Sequence, residues 1–261
     1  MRLTELYSHP LKSCRGNLLQ SARIDALGIE HDRRWMLADE QGKFLTGRQH
    51  PRLVLIEVAA DDAGATFSAP GMQPLRVEHA QMRDGVPAEV WGNAFQARAG
   101  SDEADFWFSN YLGSHCRLLY TDANTSRRAK RAPSIPVGFA DGYPLLLVGR
   151  ASLDDLNSRL AQPVGIRQFR SNLLVDTAVA FEEDTWQRIR IGEVEFEHVK
   201  PCTRCIFITI DPDSAVPAPD RQPLLTLAGY RRFDDGTRFG INLIALNQGR
   251  IQLGDTVEVL A

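Results

Sequence analysis

Only four of the 261 residues are cysteine, namely Cys14, Cys116, Cys202 and Cys205. In a chain of this length they do not form a disulfide framework, and in a reducing compartment they read as free thiols or ligands. No apolar run approaches the roughly eighteen residues of a membrane-spanning helix. The opening segment Met1–Pro10 has no signal-peptide h-region, so a cytoplasmic chain with no membrane partner is expected. An excess of either sign of charge is missing too: the net charge of -3 gives no reason to expect a nucleic-acid partner. Internal repeats and low-complexity tracts are absent. What is left is the composition of an ordinary globular protein, with ample length for a core.

Short runs of alternating apolar and polar residues, separated by Gly, Pro, Asp and Asn, predict a mostly β protein with a few helices. The clearest hairpin is Arg188–His198, where strict alternation flanks Gly192-Glu193. Strands are also expected at Leu53–Val58 and Ile206–Ile210. Helices are expected over Ser101–Leu112, over Ser152–Leu160 behind a Ser-x-x-Asp capping box, and over Pro223–Tyr230. The polar, proline-containing stretch Thr121–Gly138 reads as an exposed connector, with its basic run Arg127–Arg131 as solvated loop. It divides the chain into units 1–121 and 122–261, with a ligand-binding crevice expected between them.

Four groups of residues can carry chemistry. Cys202-Thr203-Arg204-Cys205 puts two thiols and a cation on a turn; a thiolate is a soft metal ligand, and nearby positive charge favours it. A thioredoxin-like pair would cap a helix, and the β-branched residues that follow do not suit one. Structural zinc would need a second pair of ligands. A single functional thiol with an accessory one, or two buried cysteines without a role, remain open. Lys12-Ser13 entering a Gly turn offers a cation, a hydroxyl and backbone N–H groups to a phosphate. Arg33 and Arg34, adjoining on an expected strand, point to opposite faces, so one of them can face a pocket. Arg170 and Asn172, two apart at a strand start, share a face able to bind an anion and read a heterocycle edge.

The order of these pieces resembles the MOSC family. Tyr7–Gly16, Leu27–Met36 and Thr46–Ile56 resemble the MOSC N-terminal β-barrel domain, and Asp141–Pro144 followed by Ala151–Asn157 continues the series. Phe169–Asn172, Cys202–Asp213 and Gly249–Asp255 resemble the MOSC (molybdenum cofactor sulfurase C-terminal) domain. Within that family the chain resembles the mitochondrial amidoxime-reducing components and their bacterial counterparts. The resemblance implies two β-barrel-like units with a molybdenum cofactor (Mo-molybdopterin) in the cleft between them. It implies Cys205 as the metal ligand, with Cys202 as the fallback, and Lys12, Ser13, Arg33, Arg170, Asn172, Thr203 and Arg204 as cofactor-binding residues. The implied activity is reduction of small N-hydroxylated substrates (amidoximes, hydroxylamines, N-oxides) by oxygen-atom abstraction at a cysteine-ligated molybdenum. Asp211 and His198 are candidate proton donors, and a separate electron-transfer protein is expected to supply electrons. The alternative is a cofactor carrier or sulfur-handling module without turnover. Two positions depart from relatives: Gly142-Tyr143 replaces Thr-Ser, and Asn242 replaces an aromatic.

Overall fold

The computed structural model describes residues 1–261. The chain is mostly β, as the sequence predicts, with three α-helices and several single 3-10 turns. Its largest sheet has nine strands. Eight run in the spatial order Asn17–Leu18, Leu3–Ser8, Leu173–Val175, Leu145–Gly149, Gly236–Ala245, Val194–Thr203, Arg188–Ile191 and Val257–Val259, with Arg232–Phe233 paired to Gly236–Ala245. Every pairing in it is antiparallel except that of Leu145–Gly149 with Leu173–Val175. The helix Arg150–Ser158 crosses between these two parallel strands.

A four-stranded sheet, in the order Trp35–Ala38, Arg117–Tyr120, Asn93–Ala99 and Arg83–Val90, organises the other unit. The helix expected over Ser101–Leu112 forms over Asp102–Leu112 and packs there, with the Ser101 side chain as its cap. Strands from either side of the boundary expected at 121 pair with each other. Leu3–Ser8 pairs with Leu173–Val175, and Ser21–Asp25 pairs with Gly249–Gln252. Leu3, Leu6, Ile24 and Ile29 share one core with Leu147, Phe196 and Ile241. The first thirty residues therefore tie the two units together.

Several local expectations are corrected. Leu53–Val58 is a 3-10 turn over Pro51–Leu55 followed by the strand Glu57–Ala60; Pro51 fixes φ at the first helical position and starts the turn. Thr121–Gly138 is no exposed connector, since it forms the hairpin Arg128–Ala129 and Ala132–Pro136 and buries Thr125, Arg127, Ala129 and Val137. Ser152 does not cap the second helix. It lies one turn in, donating to the buried Glu183 carboxylate at 2.7 Å, which also accepts from Gly149 N at 3.0 Å. A carboxylate from elsewhere in the chain thus satisfies the helix N-terminus. The Arg188–His198 hairpin is as expected, with Gly192 at φ 55 in its turn.

Candidate functional site

One cleft gathers both units. It is lined by Lys12, Ser13, Arg33, Phe44, Thr46 and Arg48 from the N-terminal half. Residues Phe139 to Tyr143, Phe169, Arg170, Asn172, the whole tetrad Cys202–Cys205, Phe207 and Asn242 line it from the C-terminal half. Its cavity volume is about 170 Å³, and it opens to solvent at its mouth. Five cations face a single acid there, Asp141.

The sulfur wall is the end of strand Val194–Thr203. Its pairing with Gly236–Ala245 slips twice, between His198 and Lys200 and between Pro201 and Thr203. Proline has no N–H for the ladder, and such irregularities re-aim side chains. Cys202 is half-buried and Cys205 exposed. Arg204 donates to Cys202 Sγ at 3.0 Å and to the Phe169 carbonyl at 2.6 Å. Instead of the expected strand, a 3-10 turn over Ile206–Thr209 follows. Ile208 goes into the core with Phe169, Leu227 and Phe239, so its apolarity is used for packing, not pleating. Phe207 lies against Gly47, where a Cβ would come 2.3 Å from the ring; glycine is what admits this contact.

Four of the five cations, Lys12, Arg33, Arg48 and Arg170, come from outside the tetrad. Arg33 donates to Asn172 Oδ1 at 2.8 Å, to the Arg170 carbonyl at 3.1 Å and to Asp32. Asn172 is fully buried; its amide also accepts from Leu146 N at 3.1 Å and donates to the Tyr7 carbonyl at 3.0 Å. Asn172 therefore positions Arg33, its amide being committed to protein partners. Lys12 donates to the Phe139 carbonyl at 2.9 Å and pairs with Asp141. Burial pushes the Lys12 ammonium down, and Asp141 opposes that shift. Arg170 donates to the Cys14 carbonyl through one terminal nitrogen, while the other is buried without a partner. Burial lowers Arg170 to about 10, which leaves it charged at neutral pH. Ser13 Oγ accepts from Gly47 N at 3.1 Å.

Backbone strain gathers here. Of the eight non-glycine residues with positive φ, Ser13 (69°), Arg33 (46°) and Arg170 (54°) are predicted site residues, and Trp91 (52°) stands next to Phe44 at the rim. Such conformations persist where the surroundings fix them, often at functional sites. They also correct two expectations. Arg33 and Arg34 precede the strand Trp35–Ala38, and Arg170 ends a 3-10 turn ahead of Leu173–Val175. Even so, Arg33 turns to the cleft while Arg34 pairs with Asp25 at 2.7 Å.

All the predicted cofactor-binding residues and Cys205 come together in this cleft; Asp211 does not. Its carboxylate accepts from Ser214 N at 2.7 Å and Asp213 N at 3.1 Å, holding an exposed turn, so its placement does not suit a proton donor. His198 also lies outside the lining, bonded to the Trp186 carbonyl at 2.8 Å. The sequence reading missed the contributions of Phe44, Asp141 and Arg127. Arg127, read as solvated loop, is buried and donates to the carbonyls of Gly138 at 2.6 Å, Ala140 at 2.5 Å and Asp141 at 2.7 Å. It shapes the loop that meets Lys12. Its position in a basic run gave no sign of this. Gly142 and Tyr143 line the cleft, and Asn242 donates to the Lys200 carbonyl at 3.3 Å.

The donor set suits an anionic, metal-bearing group: an exposed thiol, an orphaned guanidinium nitrogen and an excess of four positive charges. Comparison with known proteins adds to this. The MOSC N-terminal beta barrel domain matches residues 1–115 and the MOSC domain residues 135–258. The chain is 35% identical to mitochondrial amidoxime reducing component 2 of Bos taurus over 98% of its own length and 82% of that protein. It is 34% identical to the Homo sapiens protein of the same name over the same shares, and 32% identical to mitochondrial amidoxime-reducing component 1 of Mus musculus over 99% and 82%.

Proposed function

The chain belongs to the MOSC family that includes the amidoxime-reducing components, and from that membership we propose that it is a molybdenum-cofactor-dependent reductase of N-hydroxylated compounds. The observation that carries this reading is an exposed cysteine, Cys205, in a cleft lined by five cations and one acid. Lys12, Arg33, Arg170 and Arg204 would hold the cofactor's phosphate and pterin by charge, with Ser13 and Thr203 adding hydroxyls. Cys205 would supply the thiolate ligand. When bound, the cofactor supplies two-electron abstraction of oxygen from an N–O bond. In the net reaction that bond breaks, two protons and two electrons are consumed, and water leaves.

The chain's own residues position and insulate. Asn172 and Asp32 fix Arg33, and Arg127 fixes the 138–141 loop against Lys12. Phe139, Phe169 and Phe207 exclude water from part of the wall, which strengthens every charge contact inside. With Asp211 and His198 outside the lining, protons come from solvent at the mouth. Electrons come from a separate protein, and the chain works in the cytoplasm.

The test is reduction of benzamidoxime to benzamidine by the cofactor-loaded protein with a chemically reduced viologen as donor. Wild type should turn over, and Cys205→Ala should lose both activity and bound molybdenum. Full activity in Cys205→Ala rejects the ligand assignment. A wild-type protein that holds stoichiometric molybdenum yet never turns over would be a carrier instead.

A further inference from the structure

Four of the five cleft cations have protein partners: Lys12 has Asp141, Arg33 has Asn172, Arg170 has the Cys14 carbonyl and Arg204 that of Phe169. Arg48 differs. It is exposed and has neither an ion-pair nor a hydrogen-bond partner, and its guanidinium lies 4.6 Å over the Trp91 ring. The ring contact holds the guanidinium while its N–H donors have no protein partner, so less freedom is lost when an anion is captured. Trp91 (φ 52) and Gly92 (φ 78) form the two-residue turn between Arg83–Val90 and Asn93–Ala99, which presents the Trp91 ring 49% exposed. That ring also meets Phe44, which lines the cleft, at 4.9 Å. The loop bearing Arg48 is anchored near the sulfur wall through the tight contact of Gly47 with Phe207, two residues beyond Cys205.

The geometry points to Arg48, held over Trp91, as the residue that selects substrates carrying a carboxylate away from the N–OH group. This rests on the reductase reading above. A planar N-hydroxylated acid directs its N–OH end toward Cys205 and its carboxylate to the Arg48 fork, with Trp91 and Phe44 beside its apolar middle. Asp141, the one acid in the lining, is engaged by Lys12 and so opposes the incoming charge weakly.

The probes are 4-carboxybenzamidoxime and uncharged benzamidoxime. Arg48→Gln should lower the ratio of their kcat/KM values about tenfold, mostly through KM for the acid, as expected for one lost charge-assisted hydrogen bond. Arg48→Lys should recover part of that ratio. A readout without turnover exists, because Trp91 is exposed while Trp35, Trp107 and Trp186 are buried. Titrating the purified protein with 4-carboxybenzamidoxime should perturb tryptophan emission. The midpoint should rise about tenfold in Arg48→Gln, and the signal should vanish in Trp91→Phe. An unchanged ratio and midpoint in Arg48→Gln overturn the inference. So does loss of bound molybdenum in that variant, which would give Arg48 to the cofactor. A wild type that binds the acid through Arg48 but reduces neither compound would reject the reductase reading and leave the carboxylate site standing.

Discussion

On one wall of the cleft Asn172 has no exposed surface, and its amide is shared among Arg33, Leu146 and Tyr7; on the other, Cys205 stands exposed and its sulfur has no hydrogen-bond partner. Cations locked by buried partners present their field without reorganising when a ligand arrives. A sulfur left open can take a metal and still face incoming solutes. Stability is thus concentrated in the wall that holds charge, and access in the wall that offers the thiol.

Asn172→Leu should break that contrast most severely. It removes the acceptor for Arg33 and Leu146 N and the donor to the Tyr7 carbonyl, all within the buried network. Orphaning such groups costs about 3 kcal/mol or more, which lowers the thermal midpoint by roughly 6 to 12 °C in a chain of this size. Cys205→Ala, with no buried partner to orphan, should shift stability by less than about 0.5 kcal/mol. Equal midpoints for the two variants, read by thermal unfolding, would show that the walls do not differ.

This contrast marks how far the sequence could be read. Residue types were legible: a thiol pair beside arginine, Lys12-Ser13 before a turn, and Arg170 two positions from Asn172 all reach one cleft. Backbone conformation was not. Ser13, Arg33 and Arg170 take left-handed φ values that no local propensity favours, because tertiary contacts decide where such strain is tolerated. The β-branched run Ile206–Ile210 has strand composition, yet burial of Ile208 in the core requires a turn. Arg127 reads as surface because its partners are carbonyls eleven or more residues further along, which no charge pattern encodes. Asp211 sat beside the tetrad in sequence, but its own loop claims the carboxylate.

A smaller effect sharpens the picture of the rigid wall. His9 is buried, with Nδ1 unpartnered, and its backbone N–H donates to Asp32 at 2.6 Å. Burial first, then Arg170 and Arg33, push its pKa well below the ordinary value. The native state therefore keeps the ring neutral while the unfolded chain protonates it near pH 6.5. With the folded pKa depressed, the unfolded state binds more protons below that point, so stability falls as pH drops from about 6.5 toward the native pKa. The limiting slope is about 1.4 kcal/mol per pH unit. Urea unfolding at pH 7.5 and 5.5 should show this acid loss in wild type and a reduced loss in His9→Gln. The same loss in both would place the sensitivity elsewhere.

The smallest effect is one of rate, and it probes the open wall. Cys14 and Cys116 are buried; burial raises the Cys14 thiol and pushes Cys116 up to about 11. A disulfide reagent attacks thiolates that it can reach, so neither should react before unfolding. Cys202 is half-buried with Arg204 against its sulfur, whereas Cys205 is exposed. Labelling of the native protein at pH 8 should therefore stop at two thiols, with Cys205 roughly an order of magnitude faster than Cys202. The remaining two should appear only in denaturant, and Cys205→Ala should remove the fast phase. If the fast phase survived in that variant, or if Cys14 labelled in native protein, the open wall would lie elsewhere than at the tetrad's second sulfur. The accessible thiol facing the cations would then have to be sought among the other three.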